Sequence, residues 1–241
     1  MPAFQGQVAL VIGGTGGIGR AIAGALYAGG ARLCVVGRSQ HSLDSLVREE
    51  AWADRSMRFA VDLERDDEIS GFCNEICSKL QAIDVLVHSA GAIDQEPFAS
   101  APLEAFDRQY RVNVRAPFQI TKAFLPAIVA AQGQVVFINS TAGVRGKAGA
   151  VQYAATKHAV RALADGLRDE VNASGVRVLS MILGRTATAM QEWVYKREGR
   201  PYDPVMLLQA DDVAAMVVNA LALPRTAEVT DITMRPMRKT Y

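Results

Sequence analysis

A tyrosine and a lysine four residues apart could together carry out proton transfer. Tyr153 and Lys157 stand in a segment of good helix formers without a helix breaker, and this spacing places both side chains on one helix face. A free phenol has a pKa of about 10 and is a poor acid or base near neutral pH. A lysine ammonium held close favours the phenolate, so we expect it to lower the pKa of Tyr153. The pair suits proton transfer at an alcohol or carbonyl oxygen, although any helix can carry a solvated lysine one turn from a tyrosine.

Ser140 could place a second hydrogen-bond donor on the same oxygen. It directly follows residues 134–139, an apolar run that is typical of a buried strand, and a glycine-containing loop then leads to the helix of Tyr153. Ligands of parallel α/β sheets bind at the carboxyl ends of the strands. The position of Ser140 therefore favours a catalytic interpretation of Tyr153 and Lys157 over a solvated surface pair.

The segment Gly-Gly-Thr-Gly-Gly-Ile-Gly at residues 13–19 is typical of a loop that binds phosphate. It lies between a predicted strand and a predicted helix, and its glycines let backbone N–H groups and the positive helix N-terminus approach a pyrophosphate. A flexible turn without a ligand is the alternative. The surplus glycines leave the dinucleotide-binding family open, because they satisfy three spacings: Gly14-x-Gly16-x-x-Gly19, Gly13-x-x-Gly16-x-x-Gly19 and Gly13-x-x-x-Gly17-x-Gly19.

The end of the second predicted strand indicates which nicotinamide cofactor would bind. An acidic residue at this point would accept hydrogen bonds from a ribose 2′-hydroxyl, but the sequence has Gly37, then Arg38 and Ser39. A guanidinium matches the oxygens of a 2′-phosphate, whereas a carboxylate would repel them. The sequence therefore favours NADP(H) over NAD(H), the alternative being a solvated loop arginine.

The elements that must position these residues alternate along the chain. Short apolar runs predict strands at residues 8–12, 32–36, 57–61, 83–87, 134–139, 176–182 and 229–234. Amphipathic segments predict helices at residues 17–28, 43–52, 66–80, 103–131 with a break near 113–117, 150–172 and 211–222. The strands are apolar almost throughout, which indicates a mostly parallel, doubly wound α/β sheet of the Rossmann type with helices on both faces. We predict one domain over residues 1–241, with a substrate lid at about residues 186–208, where no period is sustained.

Composition excludes several other classes of protein. The 26 Lys and Arg balance 25 Asp and Glu, so no strong basic field attracts nucleic acid or an anionic membrane. No apolar stretch reaches the roughly 20 residues of a membrane span, and no basic region precedes the first apolar run, so we expect a cytoplasmic protein. Of the three cysteines, Cys73 and Cys77 have no nearby ligands to complete a metal site, and we predict none.

Together these motifs resemble the short-chain dehydrogenase/reductase family, in its compact single-domain form, over nearly the whole chain. The glycine pattern of that family falls on Gly13, Gly17 and Gly19. Its serine, found thirteen residues before the tyrosine, falls on Ser140, and its tyrosine and lysine fall on Tyr153 and Lys157. Its catalytic asparagine falls on Asn113, so the resemblance implies a catalytic set of Asn113, Ser140, Tyr153 and Lys157.

The resemblance also implies roles in cofactor binding. Asp62 would bond the adenine amino group, residues 90–91 would pass beside the adenosine ribose, and Thr188 would hold the nicotinamide carboxamide. Lys157 would also bind the nicotinamide ribose, and Asn113 would help to keep a water that relays the proton. The full set of expected cofactor-binding residues is Gly13, Thr15, Gly16, Gly17, Ile18, Gly19, Arg38, Ser39, Asp62, Leu63, Ala90, Gly91, Tyr153, Lys157, Gly184, Thr186 and Thr188.

The sequence departs from the family pattern outside the catalytic positions. Ile12 replaces a threonine before the first glycine, and Leu183 replaces a proline before Gly184. His88 and Ser89 stand where two asparagines are usual, and we expect His88 to be a structural hydrogen-bonding substitute rather than a catalyst. The C-terminal segment, residues 230–236, lacks the common Asp-Gly-Gly ending, so the role of the last strand in assembly stays open.

We therefore expect an NADP(H)-dependent oxidoreductase, a ketoreductase in the reductive direction, that transfers hydride between nicotinamide and a carbonyl or secondary alcohol. Two alternatives remain: an NADP(H)-binding sensor or scaffold that has lost catalysis, and a nucleotide-sugar epimerase, which normally needs a longer C-terminal region. The resemblance also implies a homodimer or homotetramer formed through helices 114–131 and 150–172. The apolar stripes of these helices also serve the monomer core, so sequence alone does not separate the two uses.

Overall fold

In the computed structural model, which describes residues 3–238, seven parallel strands form one sheet in the order β3-β2-β1-β4-β5-β6-β7. The strands are β1 (Val8–Ile12), β2 (Arg32–Gly37), β3 (Ser56–Ala60), β4 (Val85–His88), β5 (Gln134–Ser140), β6 (Arg177–Leu183) and β7 (Asp231–Met234). The chain moves outward from β1 to β3 and then returns to place β4 beside β1. Such a reversal of direction opens a crevice at the carboxyl ends of the strands. The predicted Rossmann-type fold is confirmed.

Helices cover both faces of the sheet. They are α1 (Gly17–Ala28), α2 (Gln40–Glu49), α3 (Asp66–Lys79), α4 (Leu103–Tyr110), α5 (Ala116–Ala130), α6 (Val151–Val171), α7 (Ala189–Arg197) and α8 (Ala210–Leu221). Apolar side chains of α3, α5 and α6 fill one core, and those of α1, α2 and α8 fill the other. Because β1, β2 and β4 to β6 contribute to both cores, their side chains are apolar with almost no alternation.

The predicted break within helix 103–131 is wrong, because the helix continues through these residues. Residues Arg111–Arg115 form a π-helical turn that joins α4 to α5 without interrupting the helical course. One extra residue in a turn rotates the side chains that follow, and π turns are frequent at functional sites. Asn113 lies in the middle of this turn and is buried.

The expectation that residues 186–208 lack regular structure is also wrong. Thr188 caps the N-terminus of α7, because its hydroxyl accepts a hydrogen bond of 3.2 Å from the backbone N–H of Gln191. A parallel bridge between Thr186 and Leu208 closes the base of the segment. The segment 186–208 is therefore a helical excursion that leaves the sheet after β6 and returns beside its starting point.

No helix within residues 3–238 combines the length and the apolarity that a membrane crossing requires.

Candidate active site

The glycine-rich loop depends on two very close backbone approaches. Gly13 has a φ of +84°, which L side chains rarely adopt, and a Cβ there would lie 2.5 Å from the backbone nitrogen of Ala90. A Cβ on Gly19 would lie 2.2 Å from the carbonyl oxygen of Gly13. Glycine is therefore required for the turn, for its contact with the segment after β4, and for the packing of α1 on the loop. These two glycines and Gly17 form the spacing Gly13-x-x-x-Gly17-x-Gly19, and a Cβ on Gly17 would lie 3.0 Å from Cγ2 of Thr188.

The predicted cofactor-binding residues in loops follow the carboxyl ends of five strands. The loop 13–19 follows β1, Arg38 and Ser39 follow β2, and residues 62–63 lie two residues beyond β3. Residues 90–91 follow β4, and residues 184–188 follow β6. Since parallel strands end at the same edge of a sheet, the structure brings all these positions to one side of the molecule.

Gly37 at the end of β2 and the two residues that follow it differ in how much space surrounds them. A Cβ on Gly37 would lie 2.9 Å from Cγ2 and 3.0 Å from Oγ1 of Thr15, so no acidic side chain fits there without a shift of the loop. Arg38 is exposed, and no ion pair or hydrogen bond involves its guanidinium among the described residues. Ser39 caps α2 by accepting a hydrogen bond from Ser42. This corner therefore offers an unpaired cation and no carboxylate.

Lys157 is buried against the end of β5. Its Nζ donates a hydrogen bond of 3.1 Å to the carbonyl oxygen of Ile138, and the amide of Asn139 donates to the carbonyl oxygen of Lys157 at 3.2 Å. A Cβ on Gly143 would lie 2.6 Å from that same carbonyl oxygen, so the loop after Ser140 runs directly against α6. These contacts fix the helix of Tyr153 relative to the strand of Ser140.

The side chain of Asn113 joins the segment after β4 to α6. Its Oδ1 accepts a hydrogen bond of 2.7 Å from the backbone of Ala92, and its Nδ2 donates to the carbonyl oxygen of Ala92 at 2.8 Å and to Oγ1 of Thr156 at 2.9 Å. Thr156 in turn donates to the carbonyl oxygen of Tyr153 at 2.8 Å. A Cβ on Gly91 would lie 3.5 Å from Oδ1 of Asn113 and 3.9 Å from Nζ of Lys157. Asn113 therefore lies beside the lysine and ties together the two walls of the crevice.

Burial moves the pKa values of Tyr153 and Lys157 in opposite directions. Desolvation raises the pKa of Tyr153 to about 12, and a hydrogen bond with Ser140 only partly offsets this rise. Desolvation lowers the pKa of Lys157 to about 8. The ammonium nitrogen lies 5.8 Å from the centre of the Tyr153 ring. In the protein without ligands the pKa of Tyr153 is raised overall, because the loss of solvent outweighs any lowering by a charge at that distance.

The four predicted catalytic residues thus share one site beside the glycine-rich loop. The Ser140 hydroxyl lies near enough to the Tyr153 phenol to affect its pKa, Nζ of Lys157 lies 5.8 Å from the centre of the tyrosine ring, and Asn113 joins the opposite wall to α6. A neutral phenol beside a second hydroxyl can donate to a substrate oxygen and then release its proton, and a nearby cation stabilises the phenolate that remains.

The hydroxyl of Thr188 makes two contacts within its own segment. Its hydroxyl donates to the carbonyl oxygen of Thr186 at 3.3 Å while it caps α7. Two residues later, Cε of Met190 would contact a Cβ on Gly91 at 3.9 Å. The first turn of α7 therefore lies across the crevice between the glycine-rich loop and Gly91.

His88 is a buried structural residue at the end of β4. Its Nε2 forms a hydrogen bond of 2.8 Å with Oγ1 of Thr121, and its ring stacks on Phe137 with the centroids 5.1 Å apart. Burial lowers the pKa of His88 to about 3, so the ring is neutral near pH 7. Nδ1 has no hydrogen-bond partner.

A family model described as short chain dehydrogenase matches residues 7–199 of this chain. An uncharacterized oxidoreductase of Staphylococcus aureus is 26% identical over 238 residues, which cover 98% of this chain and 100% of that protein.

The chain belongs to the short chain dehydrogenase family.

Solved structures of similar dehydrogenases superimpose closely on this one. A metagenomic short-chain oxidoreductase in complex with NADP is 28% identical, with a TM-score of 0.83 and coverage of 98% of this chain and 100% of that chain. An alcohol dehydrogenase from the archaeon Thermococcus sibiricus, complexed with 5-hydroxy-NADP, is 25% identical, with a TM-score of 0.86 and coverage of 98% and 99%. The predicted family and class of enzyme, an oxidoreductase of the short-chain dehydrogenase/reductase type, are confirmed.

Sequence reasoning missed two residues that position the predicted catalytic groups. Thr156 is buried and bridges Asn113 to the backbone of Tyr153, and Asn139 bonds both the backbone of Lys157 and the N–H of Ser140. Both are polar residues in otherwise apolar surroundings, a signal that could have found them because buried polar groups need partners.

The described residues of the dehydrogenase contain no group of three or more His, Cys, Asp or Glu side chains placed to hold a metal ion.

In the variant His88→Asn, the free energy of unfolding should fall less than in the wild type as the pH decreases. The folded pKa of about 3 lies below the value of 6.5 for a free histidine, so its contribution to stability is complete above pH 6.5 and is lost as the pH falls towards 3. Between pH 6.5 and 5 this group alone should reduce the free energy of unfolding by about 2 kcal/mol. Urea unfolding at several pH values should show a shallower slope in His88→Asn than in the wild type.

The same substitution at His41, which is exposed, is the matched control and should keep the wild-type slope. Identical acid slopes in the wild type and in His88→Asn would contradict the account of His88 as a buried neutral ring.

Proposed function

We propose that this dehydrogenase is an NADP(H)-dependent ketoreductase, which reduces a carbonyl compound or oxidises the corresponding secondary alcohol. One observation carries the proposal. Asn113, Ser140, Tyr153 and Lys157 converge next to a glycine-rich loop whose backbone has no room for side chains. A sensor or scaffold would not need Ser140 and Tyr153 placed together beside a buried lysine.

The cofactor fits the carboxyl edge of the sheet. The N–H groups of the loop from Gly13 to Gly19 and the N-terminus of α1 would hold the pyrophosphate, since the N-cap Gly16 has no side chain to occupy that end. The segment 62–63 would border the adenine and residues 90–91 the adenosine ribose. Lys157 would bind the nicotinamide ribose, and residues 184–188 would border the carboxamide. When bound, the nicotinamide supplies or accepts a hydride at the substrate carbon.

A 2′-phosphate fits the corner after β2 better than a free hydroxyl does. The contact of Thr15 with Gly37 leaves no room for an acidic side chain at position 37. The exposed, unpaired guanidinium of Arg38 can bind phosphate oxygens. The hydroxyl of Thr15 lies at the same corner and could donate a further hydrogen bond. The metagenomic relative and the Thermococcus sibiricus enzyme, crystallised with NADP and 5-hydroxy-NADP, support the same choice for this chain.

The protein side of the reaction is a proton transfer. Ser140 and Tyr153 donate hydrogen bonds to the carbonyl oxygen of the substrate, where negative charge develops as the carbon is reduced. Tyr153 then gives its proton to that oxygen, and the alcohol forms. The resulting phenolate is stabilised by the Lys157 ammonium, and in alcohol oxidation the same groups act in reverse. Asn113 and Thr156 keep the helix of Tyr153 aligned.

Self-association as a homodimer or homotetramer stays a prediction. It is supported by apolar side chains that the structure leaves partly exposed on α4 and α5, Tyr110 at 47% and Phe118 at 54%. The cytoplasmic location, the single domain and the lid role of residues 186–208 also stay predictions.

Replacement of Tyr153 by Phe should reduce turnover by about 100-fold or more, because the proton donor is lost, and should leave NADPH affinity within a factor of about 3. Turnover is measured by NADPH oxidation with carbonyl substrates found in a panel of ketones, aldehydes and quinones. The matched control is Tyr27→Phe, which removes a surface hydroxyl that bonds Ala51 at 3.2 Å and should leave turnover unchanged.

Turnover retained in Tyr153→Phe would overturn the assignment of the proton donor. Tight binding of NADPH by the wild type, without reduction of any member of the panel, would instead favour a sensor or scaffold.

Replacement of Arg38 by Gln should weaken NADPH binding by about 10- to 100-fold and leave NADH binding unchanged, because only NADPH carries the 2′-phosphate. Dissociation constants are measured by fluorescence titration with both cofactors. Arg32→Gln is the control, since Arg32 is exposed at the opposite end of the same strand. Equal changes in the dissociation constants of the two cofactors would show that Arg38 does not bind the 2′-phosphate.

A further inference from the structure

The helix α7 is attached to the sheet on one side of the crevice by a partly buried ion pair. Arg185, just after β6, donates to both carboxylate oxygens of Glu198 at 2.7 Å, and the side chains are only 16% and 25% exposed. The guanidinium of Arg185 also stacks over the ring of Tyr195, 4.5 Å from its centroid. This attachment joins the C-terminal end of α7 to the strand from which the segment departs.

On the other side of the crevice, α7 reaches the segment that follows β4. Arg197, in the last turn of α7, forms an ion pair with Glu96 and donates to the carbonyl oxygen of Gln95 at 3.2 Å. Trp193, one turn earlier, presents its ring to the same guanidinium with the centroid 5.8 Å away. The segment that carries Glu96 is itself attached to α4, because Asp94, two residues before Glu96, pairs with Arg108.

The pair of Glu96 and Arg197 joins the C-terminal end of α7 to the segment that follows β4. Met190, at the other end of α7, approaches Gly91, and Gly91 adjoins Asn113 and Lys157. Among the ion pairs within residues 3–238, this pair alone links the segment after β4 to residues 184–208. Its side chains are 46% and 35% exposed, so it is more accessible to water than the pair of Arg185 and Glu198.

We propose that Glu96 and Arg197 form an ionic latch that holds α7 across the nicotinamide end of the crevice and must break before the cofactor leaves. The latch rests on the proposed position of NADP(H). A ligand below α7 is retained while both attachments hold, and the exposed attachment breaks first because solvent competes for its charges. Arg197 and Glu96 are positioning residues: they touch neither the proton donor nor the catalytic lysine.

The latch is tested first by the rate of NADPH release. Stopped-flow loss of energy transfer from tryptophan to NADPH, with excess NADP⁺ as competitor, gives the dissociation rate constant without any substrate. Glu96→Gln should release NADPH about 2- to 5-fold faster than the wild type, the effect expected of one exposed ion pair. The control is Glu75→Gln, which breaks an exposed pair with Lys79 on α3 and should leave the rate unchanged.

A charge swap separates a latch from a merely structural contact. Glu96→Arg and Arg197→Glu should each speed release at least as much as Glu96→Gln, because each leaves two like charges facing one another. The double variant, Glu96→Arg with Arg197→Glu, should return the rate towards the wild-type value. Failure of the double variant to restore the rate would contradict the latch.

Limited trypsin digestion of the ligand-free protein gives a readout that does not depend on the cofactor. Cleavage after Lys196 and Arg197, followed by mass spectrometry, should be faster in Glu96→Gln than in the wild type or in Glu75→Gln. If the wild type fails to bind NADPH, the proposed function is wrong and the trypsin rates still test the contact. If NADPH binds but both Glu96→Gln readouts equal those of the wild type, the latch alone is overturned.

Discussion

The hydrogen bonds of the Asn113 amide are the contacts on which the arrangement of the site depends. They use every polar atom of that side chain to join the backbone after β4 to Thr156 of α6. Loss of such a buried amide would leave several groups unsatisfied at once, which costs about 1–3 kcal/mol for each group. The π-helical turn at Arg111–Arg115 places the amide there, so an irregularity in a helix supports two of the predicted catalytic residues.

The same packing sets the acid–base properties of the site. Removal of water raises the pKa of Tyr153 and lowers that of Lys157. The ligand-free site therefore favours a neutral phenol, and the Lys157 amine binds its extra proton less tightly than a free lysine does. A neutral phenol is the form that can donate to a substrate oxygen. Under the proposed mechanism, the proton would be released where a developing oxyanion and the lysine are both present, within a filled crevice.

Much of this could be predicted from the sequence. The strand Val8–Ile12 and the helix Gly17–Ala28 have the predicted bounds, because a wholly apolar run next to a glycine-rich loop is a strong local signal. The helix α7 was missed for want of an apolar period, yet Thr188 and Gln191 have the spacing of a helix N-terminus and could have revealed it. The π-helical turn and the raised pKa of Tyr153 could not be predicted, since both depend on packing between elements far apart in the chain.

Isotope transfer from the cofactor to the product tests the central claim most directly. NADPH deuterated at C4 of the nicotinamide, on each face in turn, is incubated with the protein and the carbonyl panel, and the alcohols are analysed by mass spectrometry. The account predicts that one of the two labelled cofactors transfers deuterium to the carbinol carbon, and that Tyr153→Phe suppresses this product. Alcohol formed without deuterium from either cofactor would contradict direct hydride transfer at the site of Asn113, Ser140, Tyr153 and Lys157.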